Sequence, residues 1–104
     1  MPDQDFRELY ERHVGTVADG NFKAALADMV QENIPAVFEG VTVPRGVVNS
    51  FRIQDVRAED DKQIGETVYD TPDGVIGLRS IWELRDGVWK AAALENFPVS
   101  GASA

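Results

Sequence analysis

Three ionisable side chains and one hydroxyl in this chain have the types that proton transfer or polar ligand recognition needs: Glu66, Glu95, His13 and Ser80. Two carboxylates set close together in an apolar surround shift one another's pKa, so that one keeps a proton near neutral pH and serves as acid while the other serves as base. Imidazole is the side chain whose ordinary pKa suits proton transfer near neutrality, and His13 is the single histidine. The expected catalytic set is therefore Glu95, Glu66 and His13. Each also has a plainer reading: Glu95 lies near a strand end where it can reach water, and a lone histidine among apolar neighbours is commonly a satisfied core or rim residue. With one histidine and no cysteine, a metal site would have to be built mainly of carboxylates; no metal and no cofactor is expected.

The elements that must position these groups are most legible between Ile64 and Phe97. Asp86-Gly87 separates two runs rich in Trp, Ile, Leu and Val, which is a strong signal for a two-residue hairpin loop. That loop predicts Leu84 beside Trp89, Trp82 beside Ala91, Ser80 beside Ala93 and Leu78 beside Glu95, with Glu83 meeting Lys90 on the reverse. Upstream, Thr71-Pro72-Asp73-Gly74 reads as a turn. A three-residue loop there sets Val68 against Leu78, Glu66 against Ser80 and Ile64 against Trp82; a four-residue loop brings Tyr69, Thr67 and Gln63 to that face instead. A slip of one residue exchanges the faces, and the first register is chosen because it keeps apolar residues together.

A further strand, Phe51–Arg57, joins through the acidic turn at Glu59, Asp60 and Asp61 and adds Phe51 and Ile53 to the apolar face. Glu66, Ser80 and Glu95 then share that face with Trp82 and Phe97. A ligand wall of Tyr10, Phe51, Ile53, Ser80, Trp82 and Phe97 is expected, suited to a small apolar or aromatic molecule. The reverse face, with Arg52, Arg79, Tyr69, Ile81 and Leu94, has the mixture of a dimer interface.

Ahead of the strands, Phe6, Leu9, Tyr10, His13 and Val17 recur at helical spacing, with Asp5 and Glu8 resembling a capping box and Gly20 a C-terminal stop. Asn21 is placed to cap a second helix whose buried side is Phe22, Ala25, Leu26, Met29 and Val30. Between Glu32 and Ser50, Pro35, Gly40, Pro44 and Gly46 leave room for a short strand pair or a single helical turn, and for no full-length third helix. The expected fold class is α+β: two N-terminal helices packed on a curved antiparallel sheet, forming one domain over residues 1–98, with a flexible tail over 99–104.

Eighteen acidic against ten basic residues give a net charge of −8, the opposite of the basic footprint that nucleic acid or an anionic membrane requires. The absence of cysteine precludes disulfides and thiolate chemistry. Without a long apolar run or a basic, apolar leader, the expected location is cytoplasmic.

Two helices, a broken middle segment and long antiparallel strands, with Trp82-x-Leu84-x-Asp86-Gly87-x-Trp89 and the Asp19-Gly20-Asn21 joint, resemble the nuclear transport factor 2-like superfamily. Its members include ketosteroid isomerases, SnoaL-like polyketide cyclases and limonene epoxide hydrolases. The resemblance covers roughly Phe6 to Phe97. It implies a cone-shaped sheet with a pocket at its open end and a homodimer through the outer sheet face. It does not carry over the isomerase residues: His13 stands nearest the helical tyrosine, Val37 falls where the general base belongs, and Ser80 falls where the second oxyanion group belongs. The expected function is binding of a small apolar molecule, with acid/base chemistry on a polyketide-like substrate as its catalytic version. The alternative is a non-catalytic dimerisation or scaffold module whose pocket is filled by its own side chains.

Overall fold

Helix α1 (Pro2–Ala18) opens on a proline, whose missing N–H leaves nothing unsatisfied in a first turn. The helix thus starts ahead of the expected Asp5 cap, and Asp5 lies within it. The computed structural model describes residues 2–34, 36–44 and 47–99, with side chains from Phe6 onward. The expected tail beyond Val99, and the centre of the helical turn expected after Pro44, lie outside the described residues.

At its other end α1 stops where the sequence says. Gly20 takes φ +77°, the Asn21 N–H reaches back to the Thr16 carbonyl at 2.9 Å, and the Gly20 N–H reaches the Val17 carbonyl at 3.1 Å. These two bonds close a Schellman motif around the glycine. Asn21 at once caps α2 (Phe22–Ala27), its Oδ1 accepting from the Ala24 N–H at 3.3 Å.

Helix α2 is shorter than its apolar spacing suggests. Met29 and Val30 leave it to pair with the sheet: the Val30 N–H donates to the Ala91 carbonyl at 2.8 Å and the Ala91 N–H to the Asp28 carbonyl at 2.9 Å. A sheet edge offering backbone partners ends the helix one turn early. The middle segment holds two 3-10 turns, Gln31–Asn33 and Ala36–Phe38, in place of the expected strand pair. No third α-helix occurs among the described residues.

The sheet is an antiparallel meander in chain order: β1 (Ser50–Glu59), β2 (Lys62–Thr71), β3 (Gly74–Arg85) and β4 (Val88–Asn96). Near the Asp86-Gly87 turn the register is the expected one, with Trp82 opposite Ala91, Glu83 opposite Lys90 and Leu84 opposite Trp89. Elsewhere it departs in two places.

The first departure is between β2 and β3, where Thr67 faces Leu78, Gly65 faces Ser80, Gln63 faces Trp82 and Glu66 faces Arg79. Thr71 pairs with Gly74 around Pro72 and Asp73, and the Thr71 hydroxyl donates to the Gly74 carbonyl at 2.8 Å. The face turned to the helices is thus the one rejected on apolar count. Its residues fit the helices individually: the Tyr10 ring lies so close over Gly65 that a Cβ there would collide with it, and the Tyr10 hydroxyl bonds the Thr67 Oγ1 at 2.6 Å.

The second departure is a β-bulge at Ala92, after which Ser80 faces Leu94 and Arg79 faces Glu95. Both edges of this spot are held from outside the hairpin, by residues 28–30 at Ala91 and by the Asn33 side chain, which donates to the Ala92 carbonyl at 2.8 Å. A further bulge between Ile53 and Asp55 sets Val56 opposite Gly65 and Asp55 opposite Glu66.

Phe6, Tyr10, Val14 and Val17 of α1 pack on Tyr69, Leu78, Trp82 and Ala91, with Ala25 and Met29 at the flank. Trp82 is wholly buried, edge-on to the rings of Phe6 at 5.4 Å, Tyr10 at 6.1 Å and His13 at 5.0 Å. Apolar area removed from water on this scale is the main stabilising term of the fold.

Candidate functional site

A cavity of about 70 Å3 lies between the two helices, the segment 38–44 and the inner sheet face. Its apolar walls come from Val17, Ala25, Leu26 and Met29 on one side and Tyr69, Leu78 and Leu94 on the other. Phe22, 38% exposed, stands at the rim. Tyr10, His13 and Ser80 supply the polar atoms. Spacing of three residues along α1 puts Tyr10 and His13 on one face of the helix, and strand alternation brings Tyr69, Leu78 and Ser80 to the same side of the sheet.

His13 is 9% exposed, and its Nδ1 lies 3.1 Å from Asp28 Oδ2. The partner is not Glu66 or Glu95 but an aspartate just past the end of α2. The αα-hairpin explains the meeting: folding back around Gly20 and Asn21 sets residue 13 opposite residue 28. That symmetry was available in the sequence, where Asp19-Gly20-Asn21 marks the turn, and it is the signal by which Asp28 can be found.

Ser80 Oγ accepts from the Trp82 indole N–H at 2.8 Å and lies 3.5 Å from the Gly65 carbonyl. Burial pushes the Tyr10 hydroxyl up to about 12, against the pull of its hydrogen bonds to Thr67 and Ser80. Tyr69 is pushed up further, by burial first and then by Tyr10. Both phenols are therefore uncharged donors across the neutral range.

The remaining expected site residues are elsewhere. Trp82 is core rather than cavity wall; Phe51 and Ile53 lie on the inner face of β1 but outside the cavity, with Phe51 44% exposed and its ring 6.4 Å from Tyr69. Phe97 covers the opposite face at Gly77, under the Arg79 guanidinium at 5.5 Å.

Glu66 and Glu95 are also on that opposite face, carried there by the two register changes. They do not face each other as an acid–base pair, because Arg79 stands between them: its Nε donates to Glu66 Oε2 at 2.7 Å and its NH1 to Glu95 Oε2 at 3.3 Å. Arg57 NH1 adds a contact to Glu66 at 3.3 Å and pairs with Asp55 at 2.7 Å. Burial opposes ionisation of Glu66, yet the hydrogen bonds from Arg79 and Arg57 outweigh it and hold the carboxyl below its ordinary 4.5. A carboxylate held ionised between two guanidiniums is poorly suited to acid–base duty.

Among the described residues, no three His, Cys, Asp or Glu side chains come together as a metal site, and no helix is long and apolar enough to cross a membrane. Comparison with protein-family models, with curated proteins and with solved structures gives no match for this chain.

Proposed function

We propose that this chain is a small-molecule-binding domain of the nuclear transport factor 2-like, SnoaL-like kind, which takes a small, largely apolar molecule into the cavity beside His13. The observation that carries this reading is the cavity itself: apolar walls converging on a few polar atoms, in the space between helices and sheet. Its volume of about 70 Å3 is roughly half the ~150 Å3 that admits a benzene ring in an engineered apolar cavity. The enclosed part of the ligand is accordingly a few heavy atoms, with anything larger extending past Phe22. The acid–base pair of Glu66 and Glu95 does not enter this reading.

A thermal-stability screen of the purified chain against small alcohols, phenols, ketones and hydrocarbons tests it. A ligand at about 100 times its dissociation constant adds roughly 2.7 kcal/mol, on the order of 10 °C in melting temperature for a domain of this size. Ala25→Leu fills the cavity from α2 and is expected to abolish the shift; a shift that survives this substitution places the ligand elsewhere and ends the proposal.

The small volume favours a second reading, a non-catalytic dimerisation or scaffold module acting through the outer sheet face. Small-molecule pockets ordinarily span roughly 300–1,000 Å3, well above what is enclosed here. Sedimentation separates the two: a tight dimer with no ligand-induced shift supports the module, and a ligand-stabilised chain supports the cavity.

A further inference from the structure

The cavity's polar atoms differ in what they have left to offer. The Tyr10 hydroxyl is engaged with Thr67 Oγ1 at 2.6 Å, and Ser80 Oγ receives the Trp82 indole N–H at 2.8 Å. His13 spends only one of its two ring nitrogens. Nδ1 faces Asp28 Oδ2, and since an ionised carboxylate can only accept, Nδ1 carries the proton and donates. In the neutral imidazole this leaves the lone pair on Nε2.

No described residue forms a hydrogen bond to that Nε2. Yet among the described residues no fully buried side-chain nitrogen or oxygen lacks a partner. An unpartnered Nε2 on a residue only 9% exposed therefore keeps access to open space, and His13 is one of the residues that line the cavity.

We propose that His13 is the ligand-selecting residue of this cavity, and that Nε2, oriented by Asp28, accepts a hydrogen bond from a neutral hydroxyl-bearing molecule, a small alcohol or phenol. This rests on the cavity reading above and specifies its ligand class. A hydrocarbon of the same size leaves Nε2 unpaired, losing the hydrogen bond that distinguishes the site. Among the described residues the lining holds no lysine or arginine to receive an anionic ligand, which would also meet the Asp28 carboxylate behind the imidazole. Asp28 is a positioning residue here, acting through the ring it orients.

The test uses three probes of similar size, phenol, toluene and benzoate, on the full chain labelled with 15N. Because His13 is the only histidine, both imidazole nitrogens are read without ambiguity in a long-range 1H–15N correlation. The free protein is expected to show the Nδ1–H tautomer. Phenol should bind roughly tenfold more tightly than toluene or benzoate and move the Nε2 resonance with little change at Nδ1. Asp28→Asn, whose amide can donate to Nδ1 and favour the other tautomer, should turn Nε2 from acceptor to donor, moving its resonance toward that of an N–H nitrogen and reducing the phenol preference.

Equal affinity for phenol and toluene with Nε2 unmoved overturns the assignment to His13 and leaves the cavity reading standing. Preference for benzoate also overturns it, since it requires a charged imidazolium in place of a neutral acceptor. If none of the three binds, this proposal falls; the cavity reading falls with it only when the smaller alcohols and ketones of the thermal screen also give no shift.

Discussion

The two faces of β2 are built from alternate residues of one strand and behave as different materials. Toward the helices lie Gln63, Gly65, Thr67 and Tyr69, packed on rings and tied by short hydrogen bonds such as Tyr10 to Thr67 at 2.6 Å. Away from them lie Ile64, Glu66 and Val68, crossed by a row of alternating charge running from Asp55 through Arg57, Glu66 and Arg79 to Glu95. Glu66 and Phe97 are nearly inaccessible there, Glu66 held by the guanidiniums of Arg79 and Arg57 and Phe97 lying under that of Arg79. The inner face is thus stabilised by depth and shape, and the outer face by a thin, screened electrostatic layer.

The sharpest test of this contrast is Trp82→Ala. Its side chain is wholly buried among Phe6, Tyr10 and His13, so truncation should cost about 3–5 kcal/mol and lower the denaturant midpoint accordingly. A loss below about 1 kcal/mol would show that the inner face is loosely packed and dissolve the distinction.

On the outer face, Glu66→Gln should cost roughly 1–2 kcal/mol at neutral pH, less than a deep ion pair would, because Arg79 and Arg57 keep contact with solvent. The folded-state pKa of Glu66 lies below its ordinary 4.5, so its stabilisation is present above that value and disappears as pH falls through the lowered pKa. Urea titrations of wild type and variant across the acid range should converge at the lowest pH; a constant gap would mean that packing, not charge, is what Glu66 contributes.

Tyr10→Phe should cost about 1 kcal/mol near neutrality through its bond to Thr67. Burial raises the Tyr10 pKa from 10.0 to about 12, so the associated stability is complete below pH 10 and is lost as pH rises through 12. The variant's alkaline unfolding should be shallower than that of the wild type, though not flat, because Tyr69 titrates by the same logic.

The smallest effect belongs to the helix exterior. Glu11→Gln removes an exposed pairing with Arg7 at 3.4 Å and should change stability by no more than about 0.5 kcal/mol, vanishing in high salt. A larger loss would mean that surface charge matters on α1 as it does on the outer sheet.

Local chemistry determined most of the elements of this protein, the end of α2 at the sheet edge being an exception. Gly20 and Asn21 end one helix and cap the next through bonds spanning at most five residues, and Asp86-Gly87 sets the pairing beside it, with both turn residues at positive φ. The α+β class follows from those signals and from the helical stripe of Phe6, Tyr10 and His13. What the tertiary structure decided is which face of each strand looks inward. A two-residue side-chain period makes that choice hinge on a single step, and here the step is set by partners distant in sequence: Tyr10 resting on Gly65, Asn33 and Val30 holding Ala92 and Ala91. Counting apolar residues points the other way, because Ile64 and Val68 are more apolar than Gln63, Gly65 and Thr67, which took the inner face. For that reason Glu66 and Glu95 turn to the other face, while His13, Tyr10 and Ser80 line the cavity and Asp28 takes the place beside the histidine.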